Sequence, residues 1–166
     1  MPKPKSPSPR NDEQSAAYQR ALAEMRRHIG PKADEYLKPI RKLSPEFAWV
    51  NVMFPFGDLY TRHVVDIKTR ELCTIAALTV QGSSLPQLAV HVAAALRVGN
   101  KRKEIIEIIM QMIPYCGFPA ATNALKTAGA AFDAVEAERR KSSAKKPARK
   151  KAPESTGLGR KPAGLL

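Results

Sequence analysis

Residues that start and end helices divide the middle of this chain into segments of helical length. The pair Gly30–Pro31 predicts the end of the first helix. Ser44–Pro45 predicts the start of another, with serine as the N-cap and proline at the first helical position. Asp66 is the predicted N-cap of a helix that Gly82 ends. This punctuation favours a fold built from short antiparallel helices.

The second half of the chain continues the same pattern. Ser84 and Gln87 have the spacing of a capping box, and the helix that they begin is predicted to stop at Gly99. Asn100 is the predicted N-cap of an isoleucine-rich helix, and a final alanine-rich helix is predicted to start near Pro119. No segment alternates apolar and polar residues over the length of a strand. The sequence therefore predicts an all-α fold, a compact bundle of about six helices.

The two ends of the chain differ in composition from its middle. Residues 1–12 are rich in proline, serine and charge, and we expect them to form a disordered arm. Residues 13–138 form the predicted helical domain, and residues 139–166 form a predicted disordered, basic tail. Residues 137–166 carry ten lysines and arginines and two acids, a net charge of +8 out of +13 for the chain. A weak contact between this tail and nucleic acid or an acidic partner is one interpretation, and a solvated tail is the other.

The chain has no apolar leader and no run of about 20 apolar residues, the length that spans a bilayer. We therefore expect a soluble, cytoplasmic protein without membrane association. In the predicted helix after Asn100, apolar residues between Ile105 and Ile113 cover more than one face. A helix of this kind is buried on several sides, either against a second subunit or at the centre of a monomer. We favour a homo-oligomer.

One polar ring interrupts an apolar helical stretch, "LAVHVAAALRVGN". This residue, His91, lies three positions after Leu88 and four before Ala95, at the border of the apolar stripe. An imidazole exchanges protons near neutral pH, and it also serves as a metal or redox partner. The chain has no second metal ligand at helical spacing nearby, so no metal is expected. Two interpretations remain, a proton carrier beside a pocket and a core histidine that bonds a carbonyl group.

The segments around His91 resemble the carboxymuconolactone decarboxylase family over about residues 18–136. The resemblance rests on order and spacing rather than on any single marker. Its markers are Phe56-Gly57, Arg62, Thr69-Arg70-Glu71-Leu72, His91, Ala95-Leu96, Gly99, Glu104-Ile105, and Tyr115 followed by Gly117-Phe118-Pro119. The resemblance implies an alkylhydroperoxidase-D-like helical fold that assembles as trimers or hexamers.

This superfamily has two branches with different chemistry. One branch consists of thiol peroxidases with a CxxC shortly before the histidine, and the other decarboxylates 4-carboxymuconolactone in the β-ketoadipate route of aromatic catabolism. This chain reads "QGSSLPQLAVH" before His91, and its two cysteines, Cys73 and Cys116, lie elsewhere. A dithiol peroxidase needs an activated thiolate with a resolving partner. We therefore expect the decarboxylase branch, and thiol-dependent antioxidant activity is the least favoured alternative.

Decarboxylation of such a lactone needs no cofactor, because the conjugated carbonyl group accepts the electron pair that CO₂ leaves behind. The protein must bind carboxylates, stabilise the dienolate oxygen and return a proton to carbon. We assign proton transfer to His91 with Glu71, and binding of the small carboxylate substrate to Arg70, Arg62 and Tyr115. Each residue also has an alternative interpretation without a catalytic role. Glu71 would then be an ordinary acid in the first turn of its helix, Arg70 and Arg62 would be surface charges, and Tyr115 would be a packed aromatic residue. His28 and His63 receive no role.

Two departures from the family pattern place the exact substrate in question. His63-Val64 stands where many members have Pro-Gly, and one additional residue lies between Gly82 and His91. A second class of function therefore stays open. It is a non-catalytic, oligomeric helical protein that uses its basic tail to bind an acidic partner.

Overall fold

The computed structural model describes residues 12–144, so the predicted N-terminal arm and most of the basic tail lie outside the described residues. Helices account for the secondary structure of this part of the chain, which contains no β-strand. The helices are α1 (Ala16–Ile29), α2 (Ala33–Leu43), α3 (Pro45–Val52), a π-helix (Met53–Leu59), α4 (Ile67–Gln81), α5 (Leu85–Arg97), α6 (Arg102–Gln111) and α7 (Ile113–Ala144). The all-α prediction is confirmed.

Several helix boundaries follow from local side-chain chemistry. The Ser44 hydroxyl accepts a hydrogen bond from the backbone N–H of Phe47, and Pro45 opens α3 as predicted. The Asp66 carboxylate accepts the backbone N–H groups of Lys68 and Thr69 at the start of α4. Gly82 ends α4 with a φ of 72°, the left-handed conformation that glycine adopts most easily.

Two boundary predictions are wrong in detail. The Ser84 side chain makes no capping hydrogen bond, so the predicted box with Gln87 does not form. Asn100 does not cap α6, because Lys101 takes that position and its N–H donates to Glu104. By contrast, the final alanine-rich helix begins near Pro119 as predicted, because Gly117, with a non-helical φ of 76°, divides α7 into a short first helix and a long second one.

Asn100 has a tertiary role instead of a capping role. Its side chain is buried, and the Asn100 amide donates to the carbonyl oxygen of Lys68 at 3.1 Å. Lys68 lies in the first turn of α4, whereas Asn100 lies between α5 and α6. This bond therefore ties the start of α4 to the end of the helix that carries His91.

Two elements were not predicted from the sequence. One is α2, which continues through Pro39, and the other is the π-helix that follows α3 directly. The N–H of Tyr60 donates to the carbonyl oxygen of Pro55, five residues earlier, at 2.7 Å. π-Helical segments are rare and occur often at functional sites. Here the segment ends immediately before Tyr60.

The core has two adjoining parts. Helices α4 to α7 enclose one cluster around Ile75, Leu88 and Ile109, and the helices from α1 through the π-helix enclose another around Met25 and Val52. Within α6, Ile105 and Ile109 are fully buried, whereas Ile106 and Ile108 are partly buried against the same cluster. Burying each isoleucine contributes about 1.5–3 kcal/mol. Much of the apolar surface of α6 is thus covered within one chain.

No helix among residues 12–144 is long and apolar enough to cross a membrane.

Candidate functional site

A carboxylate and an imidazole meet between α4 and α5. The Nδ1 atom of His91 lies 2.9 Å from Oε2 of Glu71. A carboxylate accepts hydrogen bonds, so Nδ1 is protonated and its N–H donates a hydrogen bond to Glu71. The Nε2 atom of His91 has no hydrogen-bond partner in the described part of the chain, and the side chain is 23% exposed. This nitrogen is therefore the one available to a ligand.

The Glu71 side chain is only 1% exposed, and its Oε1 atom has no hydrogen-bond partner among the described residues. Glu71 lies beyond the first turn of α4, so it is not a solvated acid at the helix N-terminus. A buried carboxylate with a free oxygen costs free energy unless a positive group faces it. His91 is the group placed to supply that charge.

The chain contains a second histidine, His28 on α1, that has the environment of a core residue. It is 2% exposed, and its Nδ1 atom donates to the carbonyl oxygen of Glu24 at 2.8 Å. His91 differs in both respects, since it is partly exposed and its partner is a carboxylate. These contacts match the carboxylate–imidazole pair proposed for Glu71 and His91 more closely than a core histidine.

Tyr60 is a site residue that sequence analysis missed. Its ring packs edge-on against His28 and Phe56, with ring centroids 5.4 Å and 5.3 Å away. The pKa of Tyr60 is raised to about 12, chiefly by burial and also by the neighbouring Glu71 carboxylate. The hydroxyl therefore stays protonated near Glu71. No local pattern in "FPFGDLYT" pointed to this position, because the π-helix creates it.

The two predicted carboxylate-binding arginines have different environments. Arg70 donates from Nε to the carbonyl oxygen of Val65 at 3.0 Å and from Nη2 to that of Arg62 at 3.1 Å. These bonds hold the loop between the π-helix and α4. The Arg62 side chain is exposed and has no hydrogen-bond partner within the described residues. Of the two, Arg62 is the guanidinium left available for a ligand.

Arg62 borders a groove of about 500 Å³ between the end of α1 and the loop before α4. We call it the α1–loop groove. Its lining includes Glu24, Arg27, His28, Tyr60, Thr61, Arg62, His63, Val65, Asp66 and Ile67. Tyr60 therefore has one side on the groove and its hydroxyl near Glu71. Tyr60 is therefore the residue that links the groove to the Glu71 carboxylate.

Tyr115 is placed differently from the other predicted residues. It lies in the first turn of α7 and is 72% exposed. No hydrogen bond joins its hydroxyl to Glu71 or His91 within the described chain. The expected alternative, a packed aromatic residue at a helix end, does not describe this exposed side chain either.

The two cysteines, Cys73 and Cys116, form no disulfide. Cys73 is exposed on α4, and the partly buried Cys116 thiol donates to the carbonyl oxygen of Met112 at 3.2 Å. Among residues 12–144, no group of three or more histidine, cysteine, aspartate or glutamate side chains is arranged to hold a metal ion.

Comparison with known proteins connects this site to a family. A model of the carboxymuconolactone decarboxylase family matches residues 45–130, which include Tyr60, Glu71 and His91. An uncharacterized 15.0 kDa protein of Paracoccus denitrificans is 37% identical over 111 residues, which cover 66% of this chain and 83% of that protein.

Two further relatives have names that state an activity. A 4-carboxymuconolactone decarboxylase of Acinetobacter baylyi is 28% identical over 74% of this chain and 90% of its own length. A nitrosuccinic acid decarboxylase of Metarhizium robertsii is 29% identical over 56% of this chain and 59% of its own length. Because the family model matches more than half of its residues, the chain belongs to the carboxymuconolactone decarboxylase family.

Proposed function

We propose that this protein is a cofactor-free carboxy-lyase that removes CO₂ from a small carboxylated lactone similar to 4-carboxymuconolactone, in the β-ketoadipate route of aromatic catabolism. The observation that carries the proposal is the 2.9 Å contact between His91 Nδ1 and the buried Glu71 carboxylate. This contact leaves Nε2 of a partly exposed imidazole as the proton carrier. The names of two distant relatives support the class of reaction.

The reaction requires only groups that the substrate and this chain supply. The bond between the carboxylate carbon and the ring carbon breaks, CO₂ leaves, and the electron pair passes into the conjugated lactone carbonyl as a dienolate. The Nε2–H of a protonated His91 then gives its proton to carbon, and the imidazole takes a new proton from water. The Glu71 carboxylate stabilises the protonated imidazole and fixes the orientation of its ring.

The chemistry of the two named substrates has a common element. Both 4-carboxymuconolactone and nitrosuccinic acid are dicarboxylic acids with an electron-withdrawing group, the unsaturated lactone in one and the nitro group in the other. One carboxylate leaves and the other stays on the product. A site for such acids needs a cation for the retained carboxylate, and Arg62 is the guanidinium free for that contact.

The remaining predicted residues take more limited roles in this proposal. Arg70 acts mainly by holding the carbonyl groups of residues 62 and 65, which positions Arg62. Tyr115 remains a proposed hydrogen-bond donor to the substrate. Exchange of Tyr115 for phenylalanine is expected to raise KM, and unchanged kinetics would exclude Tyr115 from the substrate site.

We also propose that the protein is a cytoplasmic homo-oligomer, a trimer or a hexamer. Phe47, Val50 and Phe54 lie at helical spacing and are exposed on α3 and the following π-helix. Exposed apolar residues that form a stripe mark contact surfaces more often than isolated ones do. Light scattering coupled to size exclusion measures the subunit count directly.

The test of the proposed function is a CO₂-release assay with 4-carboxymuconolactone, nitrosuccinate and related lactones. A thiol-dependent peroxidase assay runs in parallel. The matched variant is His91→Gln, which keeps a polar side chain of similar size that cannot act as an acid or a base at neutral pH. Turnover that depends on His91 supports the proposal. Peroxidase activity without decarboxylation, or decarboxylation that is unchanged in His91→Gln, would refute it.

A further inference from the structure

The α1–loop groove contains a buried histidine with one unpartnered nitrogen. His28 lines the groove, is 2% exposed and uses Nδ1 on the carbonyl oxygen of Glu24. Its Nε2 atom is buried and has no hydrogen-bond partner among the described residues. A buried polar atom without a partner costs free energy, so such an atom beside a groove indicates a ligand that completes its bonding.

The acids that line this groove are already occupied. Glu24 forms an ion pair with Arg27, whose Nε donates to Oε2 at 3.1 Å. Asp66 accepts two backbone N–H groups and the hydroxyl of Thr69 as the N-cap of α4. The Glu24 carboxylate is thus shared between Arg27 and Nδ1 of His28, 3.3 Å from Oε1, and the Asp66 carboxylate is engaged at the start of α4.

The cationic and imidazole side chains of the groove are less occupied. Arg62 and His63 make no hydrogen bond or ion pair through their side chains within residues 12–144, and Nε2 of His28 is unpartnered. The groups left for a ligand are thus hydrogen-bond donors with positive or ionisable character. Their complement is an anion, and a carboxylate matches the fork of an arginine.

We propose that the α1–loop groove binds one carboxylate of a small dicarboxylic acid, with Arg62 and the Nε2–H of His28 as its donors. The inference rests on the proposed function for the identity of the ligand, because the bound carboxylate is the one that the product retains. Tyr60 lines this groove and also neighbours the Glu71 carboxylate, which bonds His91. We place the other end of the acid toward that pair.

The protonation of His28 follows from its contacts. Its Nδ1–H is committed to the carbonyl oxygen of Glu24, so donation from Nε2 requires a charged imidazole. A carboxylate bound at Nε2 supplies the acceptor and the negative charge that this form of the ring requires.

The experiment is a titration of the full-length protein with succinate, followed by nitrogen NMR of the ¹⁵N-labelled histidine side chains. Succinate has no group that reacts, and succinamide is its uncharged control. We expect succinate to shift the Nε2 signal of His28 to that of a protonated nitrogen, whereas succinamide leaves it unchanged. An unchanged signal with saturating succinate would overturn the proposal, as would equal responses to the two compounds.

Substitution of the buried His28 could prevent folding, so the test uses variants of exposed arginines instead. Arg62→Gln is expected to weaken succinate binding about tenfold, the effect of losing a charge-assisted hydrogen bond. Arg20→Gln removes an exposed arginine of α1 that does not line the groove and is expected to bind normally. Equal affinity of these two variants would overturn the assignment of Arg62.

A third variant separates this inference from the proposed function. His91→Gln is expected to lose turnover and to bind succinate as the unmodified protein does. Succinate binding by a protein without any decarboxylase activity would refute the proposed function and leave the groove assignment intact. Turnover by a protein that does not bind succinate would refute the groove assignment and leave the proposed function intact. Loss of the His28 response when subunits associate would overturn the proposal by showing that a second copy fills the groove.

Discussion

Exchange of Glu71 for glutamine separates the catalytic contribution of this carboxylate from its effect on stability. The amide has the same shape and can still accept the Nδ1–H of His91, but it has no charge. A charge-assisted hydrogen bond contributes about 1.5–3 kcal/mol and a neutral one about 1 kcal/mol. The protonated imidazole therefore loses about 0.5–2 kcal/mol of stabilisation. We expect kcat to fall roughly 2- to 30-fold.

The same exchange is expected to preserve or increase the free energy of unfolding. Glu71 is 1% exposed and its Oε1 atom has no hydrogen-bond partner in the described part of the chain, so the native state retains an incompletely compensated buried charge. In the glutamine variant an uncharged amide replaces that carboxylate, which removes the cost of burying a charge. The expected gain is between zero and about 1 kcal/mol.

Two assays measure these effects on the same preparations. Initial rates of CO₂ release give kcat, and urea unfolding at one fixed protein concentration gives the free energy of unfolding. A lower kcat with undiminished stability is the predicted combination. Unchanged kcat together with a loss of stability above about 1 kcal/mol would show that Glu71 has only a structural role.

A double-mutant cycle tests whether Glu71 acts through His91. His91→Gln alone is expected to lower kcat about 10²- to 10⁴-fold, the range for loss of a general acid. If Glu71 only orients and charges this imidazole, Glu71→Gln adds little in a chain that already lacks His91. Effects on kcat that multiply in the double variant would refute the pairing.

Three other predictions follow from the structure. Because the pKa of Tyr60 is raised to about 12, unfolded chains ionise first, so this residue's stabilising effect is complete below about pH 10 and is lost as the pH rises toward 12. Tyr60→Phe should remove that loss, and ultraviolet titration of tyrosinate in the two proteins checks it. Phe54→Glu should reduce the mass measured by light scattering, and an unchanged mass excludes this face from the oligomer contact. Deletion of residues 145–166 should leave kcat unchanged and abolish any salt-sensitive retention on an acidic matrix; unchanged retention rejects the tail as the acidic-partner site.

Features set by neighbouring residues could be predicted from the sequence. Ser44 and Asp66 bond backbone groups two or three positions away, and Gly82 takes a conformation that its own backbone permits. These interactions depend only on local spacing, so their residues mark helix ends in the printed sequence. The order of helices and the all-α fold follow from them.

Features set by distant contacts could not be predicted in the same way. Local spacing predicted that Asn100 would cap a helix. Its actual partner, Lys68, is 32 residues away along the chain, so local spacing could not reveal that contact. Tyr60 was not identified because only the π-helix and the packing of α1 bring it to Glu71 and His28. The chemistry of histidine and glutamate suggested pairing of His91 with Glu71, and the packing of α4 on α5 supplies the distance.

The most direct test of the proposed mechanism is CO₂ release from 4-carboxymuconolactone by the unmodified protein and by His91→Gln. Circular dichroism and light scattering establish first that both proteins are folded and have the same subunit count. The mechanism predicts turnover by the unmodified protein and a decrease of at least about 10²-fold in the variant. Equal rates of CO₂ release by the two folded proteins would contradict the assignment of His91 as the proton carrier.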